Sequence, residues 1–479
     1  MSKKGTCVPV YRDILADMET PVSAFLKIDD GGNAFLFESV EGGEKWGRYS
    51  FLGIAPRAVF KSRGREVEIV EDGSVKRLEG DPLSLLREFI SPYEAVHIEG
   101  MPRFYGGAVG YLGYDMVRLF EKLPATVEED LDMPDSFFML ADVVLIFDGL
   151  ENRIRIVSNV HFNDNTPPGE LYETATGKIE GVVSRLQSGR LPPVKGCGVS
   201  GGEITSNFTK DAFVKAVEKS KEYIRAGDII QVVISQRFQT EHDVESFNIY
   251  RALRLVNPSP YMFFLRLDDI ELVGSSPEIL VRVEGRDIDV RPIAGTRPRG
   301  RSEEEDRDYE EELLGDAKER AEHIMLVDLG RNDIGRVSET GSVEVNEFMA
   351  VERYSHVMHI VSNVHGILKE NRDAMDALRA CFPAGTLTGA PKIRAMEIIE
   401  EVEPCRRYTY GGAVGYIGFS ENMDMCITIR TILIKGGKIY IQAGAGIVAD
   451  SDPESEYNET INKAKGMLKA VEMARAGLE

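Results

Sequence analysis

Short apolar runs separated by turns dominate the first third of the chain, and this pattern predicts β-strands. Four such runs lie at residues 34–40, 103–114, 138–149 and 153–160. Residues 169–187 are instead rich in helix-forming residues, whereas 188–208 combine Gly, Ser and Pro without periodicity. The pattern therefore predicts an N-terminal region over 1–187, interleaved with the core, followed by a linker over 188–208.

The remainder, 209–479, begins with a helical pattern for which Thr209 is a good N-cap. Strand patterns follow, then a charged segment at 301–333 that predicts one long helix, then further strands and a closing helix. The connection KGGK at 435–438 has the length of a β-hairpin turn. We therefore expect an α+β fold with two packed antiparallel β-sheets, a β-sandwich core, and helices on the outside.

One sequence occurs twice, and it predicts pseudo-duplicated halves. Residues 105–115 read YGGAVGYLGYD, and residues 410–420 read YGGAVGYIGFS. Both are strand patterns with unusually many glycines, which permit a bend or the close approach of another backbone or a ligand. Tight packing of sheets explains the first copy well, whereas the neighbours of the second copy suggest a binding site.

Composition limits the possible partners. The chain has 79 acidic and 57 basic residues, a formal charge of −22, which disfavours nucleic acid. An anionic ligand would therefore need a local positive potential. The five cysteines are scattered and predict neither disulfides nor a zinc site. Neither a signal peptide nor an apolar run long enough to span a membrane is evident, so we expect a cytoplasmic protein.

Two pairs of glutamates suggest a metal site. Glu319 and Glu322 are three residues apart on a predicted helix, and so are Glu456 and Glu459, with Lys463 one turn further. In so acidic a chain such pairs also arise on ordinary solvated helix faces. Two of them together could hold a hard cation such as Mg²⁺, which binds a few carboxylates and keeps positions for substrate oxygens.

Three other segments suggest an anion site. Gly295 and Thr296 form a predicted turn with exposed amides and a hydroxyl. Residues 424–434 predict a single strand in which Arg430 points away from the apolar face, and its planar fork suits a carboxylate. Beyond a hairpin, the stretch Gly444, Ala445 and Gly446 predicts a turn that directs consecutive amides toward an anion.

With these residues in view, the chain resembles the chorismate-utilising enzymes, and most closely those that form anthranilate. The resemblance rests on eight ordered motifs: PIAGTRPRG, EHIMLVDLGRND, MHIVSNVHG, AGTLTGAPK, YGGAVGY, ITIR, QAGAGIV and SEYNET. It covers about 209–470, and more weakly about 10–160. It implies amination of chorismate at ring C2, departure of the C4 hydroxyl, and elimination of pyruvate in a Mg²⁺-dependent reaction.

The resemblance also implies residue roles. Glu278 would be the general acid for the C4 hydroxyl, and its pKa should then be raised. His359 would assist pyruvate elimination, although a histidine on an alternating apolar stretch is often only structural. Thr386 would line the same pocket. The further implied ligands are, for the metal, Glu322 and Glu459 directly with Glu319 and Glu456 beside them, and, for chorismate, Gly295, Thr296, Tyr410, Arg430, Gly444, Ala445, Gly446 and Lys463.

Two positions distinguish between sister activities. Gln231 stands where isochorismate and salicylate synthases carry a water-activating lysine, and Ala294 stands where many aminodeoxychorismate synthases carry a nucleophilic lysine. Both residues favour direct attack by ammonia and hence anthranilate. An aminodeoxychorismate synthase large subunit and a non-catalytic chorismate or tryptophan sensor remain alternatives.

The resemblance further implies partners. The chain has no G-x-C-x-G-x-Q elbow, so ammonia would come from a separate glutamine amidotransferase subunit, the two forming a heterotetramer. Two motifs, FLFES and NPSPYMFF, match the family's tryptophan-feedback motifs. They predict an inhibitor site formed by Glu38, Ser39, Pro260, Tyr261 and Met262, although a strand end and a loop would explain the same residues.

Overall fold

Two large antiparallel sheets form the centre of the molecule. The computed structural model describes residues 6–40, 47–96, 98–162, 166–191, 202–354 and 357–478. Within these ranges each sheet has 12 strands, and neighbouring strands of each sheet always pair in antiparallel orientation.

The first sheet runs, from one edge to the other, through β1 (Cys7–Leu15), β10 (Arg153–His161), β9 (Val143–Asp148), β3 (Tyr49–Ile54), β2 (Ala34–Glu38), β13 (Tyr261–Leu267), β14 (Ile270–Ser276), β23 (Thr431–Lys435), β24 (Lys438–Ile447), β12 (Gln231–Glu241) and β11 (Thr205–Ser206), with β20 (Gly389–Ala390) also on β12.

The second sheet runs through β17 (Ile293–Pro298), β19 (Val357–Ile367), β16 (Asp287–Val290), β15 (Ile279–Glu284), β22 (Met423–Ile427), β21 (Ala413–Gly418), β7 (Gly107–Leu112), β8 (Ser136–Ala141), β4 (Ala58–Arg63), β5 (Glu66–Glu71) and β6 (Ser74–Glu79), with β18 (Glu344–Arg353) also on β19.

Helices cover the outer faces of both sheets. They are α1 (Pro21–Ile28), α2 (Pro82–Ile90), α3 (Pro168–Ser188), α4 (Lys210–Ala226), α5 (Ser246–Val256), α6 (Glu303–Gly315), α7 (Ala317–Gly335), α8 (Ala374–Cys381), α9 (Gly385–Thr388), α10 (Lys392–Val402) and α11 (Pro453–Arg475), with a 3-10 turn at Tyr114–Leu119. No helix in the described ranges is long and apolar enough to cross a membrane.

The hydrophobic core has layers that match this arrangement. One cluster of buried side chains, including Phe35, Phe263 and Tyr111, fills the space between the sheets. Two others pack the outer helices onto the outer faces, α5 and α11 on the first sheet and α2 and α8 on the second. The predicted α+β fold with a sandwich core is confirmed.

The repeated sequences meet each other. Strand β7 of the first copy pairs with β21 of the second, and Gly110 lies opposite Gly415. These two glycines are equivalent positions of the repeat, so a local two-fold axis passes between them. The first sheet has a matching junction between β2 and β13. Strands from the two halves of the chain thus share both sheets.

Several predicted boundaries change. The prediction of one strand over 138–149 is wrong, because β8 and β9 belong to different sheets. The prediction of one helix over 301–333 is also wrong: α6 ends at Gly315, and Asp316 caps α7 by accepting from the amides of Lys318 and Glu319. Thr209 caps α4 as expected. Of the predicted linker, 192–201 lie outside the described residues.

Candidate active site

A deep cleft lies where α7 and α11 approach the ends of β12, β17 and β24. Its empty volume, including the open mouth, is about 1570 Å³. Most of the predicted site residues line it: Gln231, Glu278, Gly295, Thr296, Glu319, Glu322, Thr386, Tyr410, Arg430, Gly444, Gly446, Glu456, Glu459 and Lys463. Segments far apart in sequence are therefore brought to one place.

Helix capping determines where the glutamates lie. Asp316 begins α7 and Asp452 begins α11, each by accepting hydrogen bonds from amides of the first turn. Glu319 and Glu456 therefore lie in the first turn of their helices, and Glu322 and Glu459 lie one turn further along. The two E-x-x-E pairs face one cleft from two separate helices.

The charge state of these carboxylates reflects their crowding. Burial, and then the neighbouring Glu322, raises the pKa of Glu319. Burial is also the main cause that raises the pKa of Glu456, and the charge of Glu459 adds to it. Binding a cation beside these carboxylates is favourable, because its positive charge offsets both the cost of burying the charged carboxylates and their mutual repulsion.

The described residues do not hold the carboxylates in a finished metal site. No three His, Cys, Asp or Glu side chains of the described ranges converge closely enough to bind an ion as they stand. Glu459 instead pairs with Lys463, at 2.6 Å between Oε1 and Nζ, and Glu322 accepts from Gln231 Nε2 at 3.3 Å. An arriving ion would have to replace these two contacts.

The predicted strand over 424–434 is wrong, and the difference explains the position of Arg430. Strand β22 ends at Ile427 in the second sheet, and β23 begins at Thr431 in the first. The chain crosses between the sheets at 428–430, where Arg430 has a left-handed φ of +50°. Such a backbone is strained for a residue other than glycine, and strain of this kind often occurs at functional sites.

The Arg430 guanidinium lies in the cleft without an acidic partner. Its Nη1 donates to the Lys463 carbonyl at 3.3 Å, and no carboxylate in the described ranges forms an ion pair with it. Burial lowers the pKa of Arg430 below its usual value. Glu459 acts on Arg430 through its charge but forms no ion-pair contact with it, so this part-buried cation is a favourable site for an anionic ligand.

A second crossing between the sheets runs beside the first and carries Glu278. It joins β14 to β15, and its backbone bonds to the Arg430 crossing: Ile427 N donates to Glu278 O at 3.0 Å, and Ser275 N donates to Arg430 O at 3.1 Å. Glu278 is 8% exposed, and burial raises the pKa of its carboxyl group to about 8, partly offset by the Thr386 hydroxyl. The expected raised pKa of Glu278 is therefore present.

The prediction of a turn at Gly444–Gly446 is wrong, because all three residues lie within β24 and pair with β12. Their role is steric. A Cβ on Gly444 would lie 2.7 Å from the Tyr410 hydroxyl, and one on Gly446 would lie 2.6 Å from Gln231 Nε2. The glycines thus admit these two side chains, whereas the Ala445 side chain is fully buried away from the cleft.

His359 lies beside the cleft rather than lining it. It is in β19, opposite Thr296 of β17, and its Nδ1 lies 2.8 Å from Gly295 O and 3.1 Å from Thr296 Oγ1. A carbonyl oxygen only accepts, so Nδ1 carries the proton, and Nε2 is the basic nitrogen of the neutral ring. Burial lowers the pKa of the imidazole, which favours this neutral form.

A buried ion pair supports the floor of the cleft and is not among the residues predicted from the sequence. Arg407 donates to Glu403 at 2.6 and 2.9 Å, to Leu387 O at 2.7 Å and to Val233 O at 2.8 Å. Its guanidinium also lies 5.6 Å from the Tyr410 ring centroid. The spacing Glu403–Arg407, i and i+4, was the available signal, but nothing in the sequence reveals that the pair is buried.

A second cavity, of about 840 Å³, contains every residue of the predicted inhibitor site: Glu38, Ser39, Pro260, Tyr261 and Met262. It lies at the junction of β2 and β13, where Glu38 pairs with Met262. Pro277 and Ile293 line this cavity and the cleft alike. The two spaces therefore share one wall.

Comparison with known proteins agrees with this geometry. A model of the chorismate binding enzyme family matches residues 33–469. Anthranilate synthase component 1 of Acetivibrio thermocellus is 49% identical, with 99% of this chain and 97% of that protein covered. The protein of the same name from Aquifex aeolicus is also 49% identical, over 100% and 97%.

Solved structures give the same result for the fold. Anthranilate synthase component I of Streptococcus pneumoniae superposes with a TM-score of 0.80 at 37% identity, over 95% of this chain and 98% of that one. MenF, the menaquinone-specific isochorismate synthase of Escherichia coli, has a TM-score of 0.73 at 19% identity, over 98% and 96%. Because only 19% of the residues are identical, the similarity to MenF supports the fold alone.

Proposed function

The chain belongs to the chorismate-binding enzyme family, and we propose that it is the subunit that converts chorismate and ammonia into anthranilate and pyruvate for tryptophan synthesis. One observation carries the proposal: Arg430, without an acidic partner, shares a cleft with two E-x-x-E helix faces. Chorismate is a dicarboxylate, so a cleft that combines a guanidinium group with a metal-binding wall suits it.

The donor set fits Mg²⁺. Four carboxylates on two helix ends, two of them with raised pKa values, are hard oxygen ligands whose repulsion a divalent ion would relieve. We assign Glu322 and Glu459 as direct ligands and Glu319 and Glu456 as their neighbours. When bound, Mg²⁺ supplies the positive charge that holds the ring carboxylate in a protein of charge −22.

The remaining cleft residues bind and orient the substrate. Arg430 receives the second carboxylate, and Tyr410 and the amides near Gly295 and Thr296 contact the ring and its substituents. The neutral, buried carboxyl group of Glu278 donates a proton to the C4 hydroxyl as that group leaves. The neutral His359 ring contacts the Gly295 loop through Nδ1 and keeps Nε2 as a basic atom, which supports its role in removing a proton during pyruvate elimination.

The nucleophile is ammonia. Gln231 lines the cleft and donates to Glu322, but an amide cannot remove a proton from water. Ala294, also in the lining, has no group that could attack C2. Because neither side chain can activate water or attack C2 itself, we infer that a small external amine attacks C2.

A separate glutamine amidotransferase subunit supplies the ammonia, and tryptophan inhibits the reaction. The relatives are named component 1, which supports a second component. The cavity around Ser39 combines aromatic rings with acidic and basic side chains, Glu38 and Arg103 among them, which suits an aromatic amino acid. Its shared wall with the cleft, at Pro277 and Ile293, gives tryptophan a short route to affect catalysis.

The proposal is tested by product analysis. Purified protein is incubated with chorismate, Mg²⁺ and ammonium, and anthranilate is followed by fluorescence and pyruvate by a coupled assay. Equal amounts of the two products are expected. An aminated product that retains the enolpyruvyl group would indicate an aminodeoxychorismate synthase, and isochorismate formed without ammonium would contradict the assignment of Gln231. Absence of turnover at every pH tested, neutral and alkaline, with saturating ammonium would favour a sensor.

A further inference from the structure

A small inner cavity lies behind Glu278, on the side of the second sheet covered by α7 and α8. Its empty volume is about 400 Å³. Glu278, Leu326 and Thr386 line both this cavity and the cleft, so the two spaces adjoin at these three residues. The inner cavity therefore reaches Glu278 without passing through the volume that the substrate occupies.

The inner cavity also adjoins an open bowl on the surface. The bowl, of about 1100 Å³, lies between the end of α7 and the start of α10. Leu329 and Asp333 line both the bowl and the inner cavity. Solvent, bowl, inner cavity and Glu278 thus follow one another in series, and Leu329 and Asp333 lie at the boundary between the bowl and the inner cavity.

The boundary between the bowl and the inner cavity carries a group that can transfer protons. Asp333 is 7% exposed, and its Oδ2 accepts from Lys392 Nζ at 2.8 Å. Burial raises the pKa of Asp333, with Lys392 offsetting part of the increase. Of the described residues that line both the bowl and the inner cavity, Asp333 is the ionisable one.

The proposed reaction requires that Glu278 regain a proton after each turnover. Once Glu278 has donated its proton, the carboxylate is buried and its cleft side faces the bound ring. A new water molecule, formed from the C4 hydroxyl, lies beside it. Return of a proton through the cleft would have to wait until the product leaves, whereas the inner cavity is a space separate from the cleft and offers a second approach to Glu278.

We propose that the inner cavity and the Asp333–Lys392 pair form a rear passage that returns a proton from solvent to Glu278 and lets the water from C4 leave. The inference rests on the proposed function. The step balances: the C2–N bond forms, the C4–O bond breaks, and Glu278 gives its proton to the departing oxygen. The C2 ammonium group loses a proton to solvent, and solvent returns one to Glu278 through cavity water and Asp333.

The test separates the first turnover from later ones. Leu329→Phe narrows the passage, and Asp333→Asn removes its proton carrier at constant size. Leu255→Phe, at an exposed site on α5, and Asp328→Asn, an exposed residue on α7, are matched controls. Each variant is mixed with chorismate, Mg²⁺ and saturating ammonium at pH 7, where Glu278 starts protonated. Single-turnover and steady-state rates are measured, each in H₂O and D₂O.

Both passage variants should complete the first turnover at the wild-type rate and lose about tenfold in steady-state kcat, roughly 1.4 kcal/mol. Their steady-state solvent isotope effect should rise, and the controls should behave as wild type. Unchanged steady-state rates in both passage variants would overturn the proposal. So would an equal loss in the first turnover, which would indicate a structural role or an ammonia path.

Folding and function are checked independently. Circular dichroism and the melting temperature identify a variant that fails to fold, and Asp333→Asn combined with Lys392→Met then replaces Asp333→Asn, because it leaves no charge unpaired. The same rates are expected from the double variant. If wild-type protein makes no anthranilate, the proposed function fails; if wild type turns over and the variants match it at steady state, only the passage fails.

Discussion

Gly110 and Gly415 face each other across the centre of the second sheet, each from one copy of the repeated sequence. A Cβ on Gly110 would lie 1.9 Å from the Phe137 carbonyl oxygen, and one on Gly415 would lie 2.0 Å from that of Asp424. Neighbouring backbone fills the space on both sides. The repeat is therefore a joint between the two halves of the fold, and the second copy also contributes its first residue, Tyr410, to the cleft.

Replacing a glycine at this joint should destabilise the protein. Gly110→Ala forces backbone in β8 to move and is expected to cost about 2–4 kcal/mol of unfolding free energy, measured by urea denaturation. Gly177→Ala, on the exposed face of α3 with nothing within 4 Å, is the control and should be neutral or slightly stabilising. Equal changes in unfolding free energy for Gly110→Ala and Gly177→Ala would contradict the conclusion that neighbouring backbone fills the space beside Gly110.

Activity should fall as pH rises through about 8, because Glu278 must be protonated to act as an acid and burial raises its pKa to about 8. Glutamate in the unfolded chain titrates near 4.5. The stability that Glu278 contributes is thus fully present below pH 4.5 and is lost progressively as pH rises to 8.

The matched variant is Glu278→Gln, which does not titrate. Between pH 5 and pH 9, the unfolding free energy of the variant should rise relative to that of wild type by about a few kcal/mol, because only the wild-type protein loses stability as Glu278 titrates. The variant should also have lost catalysis at every pH. A constant difference in stability across that range would mean that the Glu278 carboxyl group titrates normally.

Glu459→Gln should weaken activation by Mg²⁺ at least about tenfold, because an amide oxygen binds a hard cation less well than a carboxylate. The dependence of rate on Mg²⁺ concentration measures this effect. Glu454→Gln changes the charge of the same helix at an exposed position and should leave the dependence unchanged. Undiminished activation in Glu459→Gln would remove that residue from the proposed metal site.

Ser39→Phe should abolish inhibition by tryptophan while kcat stays normal. Ser39 lines the second cavity and not the cleft, so a larger side chain fills the space proposed for the inhibitor. Initial rates with increasing tryptophan measure the effect. Inhibition that persists with an unchanged midpoint would show that tryptophan binds elsewhere.

Arg407→Met should reduce both stability and kcat. It leaves Glu403 buried without its partner, at an expected cost of about 3–5 kcal/mol, and it removes the support of Tyr410. Adding Glu403→Gln should recover much of the stability but little of the rate, if Arg407 positions Tyr410. Full recovery of both by the double variant would show that Arg407 is only structural. Denaturation and steady-state kinetics measure the two effects.

The sequence predicted most of the fold but not the places where the chain changes sheet. Alternating apolar residues identified β2, β10 and the hairpin at 435–438, because such patterns are local. The run 138–149 and the run 424–434 each look like one strand, since the side chains stay apolar on both sides of the crossing. Only tertiary structure reveals the crossing at Arg430.

For the site, ordered motifs identified residues that share one cleft, but local chemistry alone did not. The E-x-x-E pairs are common in acidic chains, and only the caps Asp316 and Asp452 bring them to helix starts that face each other. The roles of Gly444 and Gly446, which make room for Tyr410 and Gln231, depend on contacts across the fold. The burial of Arg407 leaves no trace in the sequence.

The wall formed by Pro277 and Ile293 has an evolutionary consequence. A substitution at either residue reshapes the cleft and the second cavity together, so a change there that weakens the proposed inhibition by tryptophan also alters turnover. Residues such as Ser39 and Tyr49 line the second cavity without reaching the cleft. Strains that overproduce the pathway's end product should accumulate changes at these outlying positions and keep Pro277 and Ile293 intact.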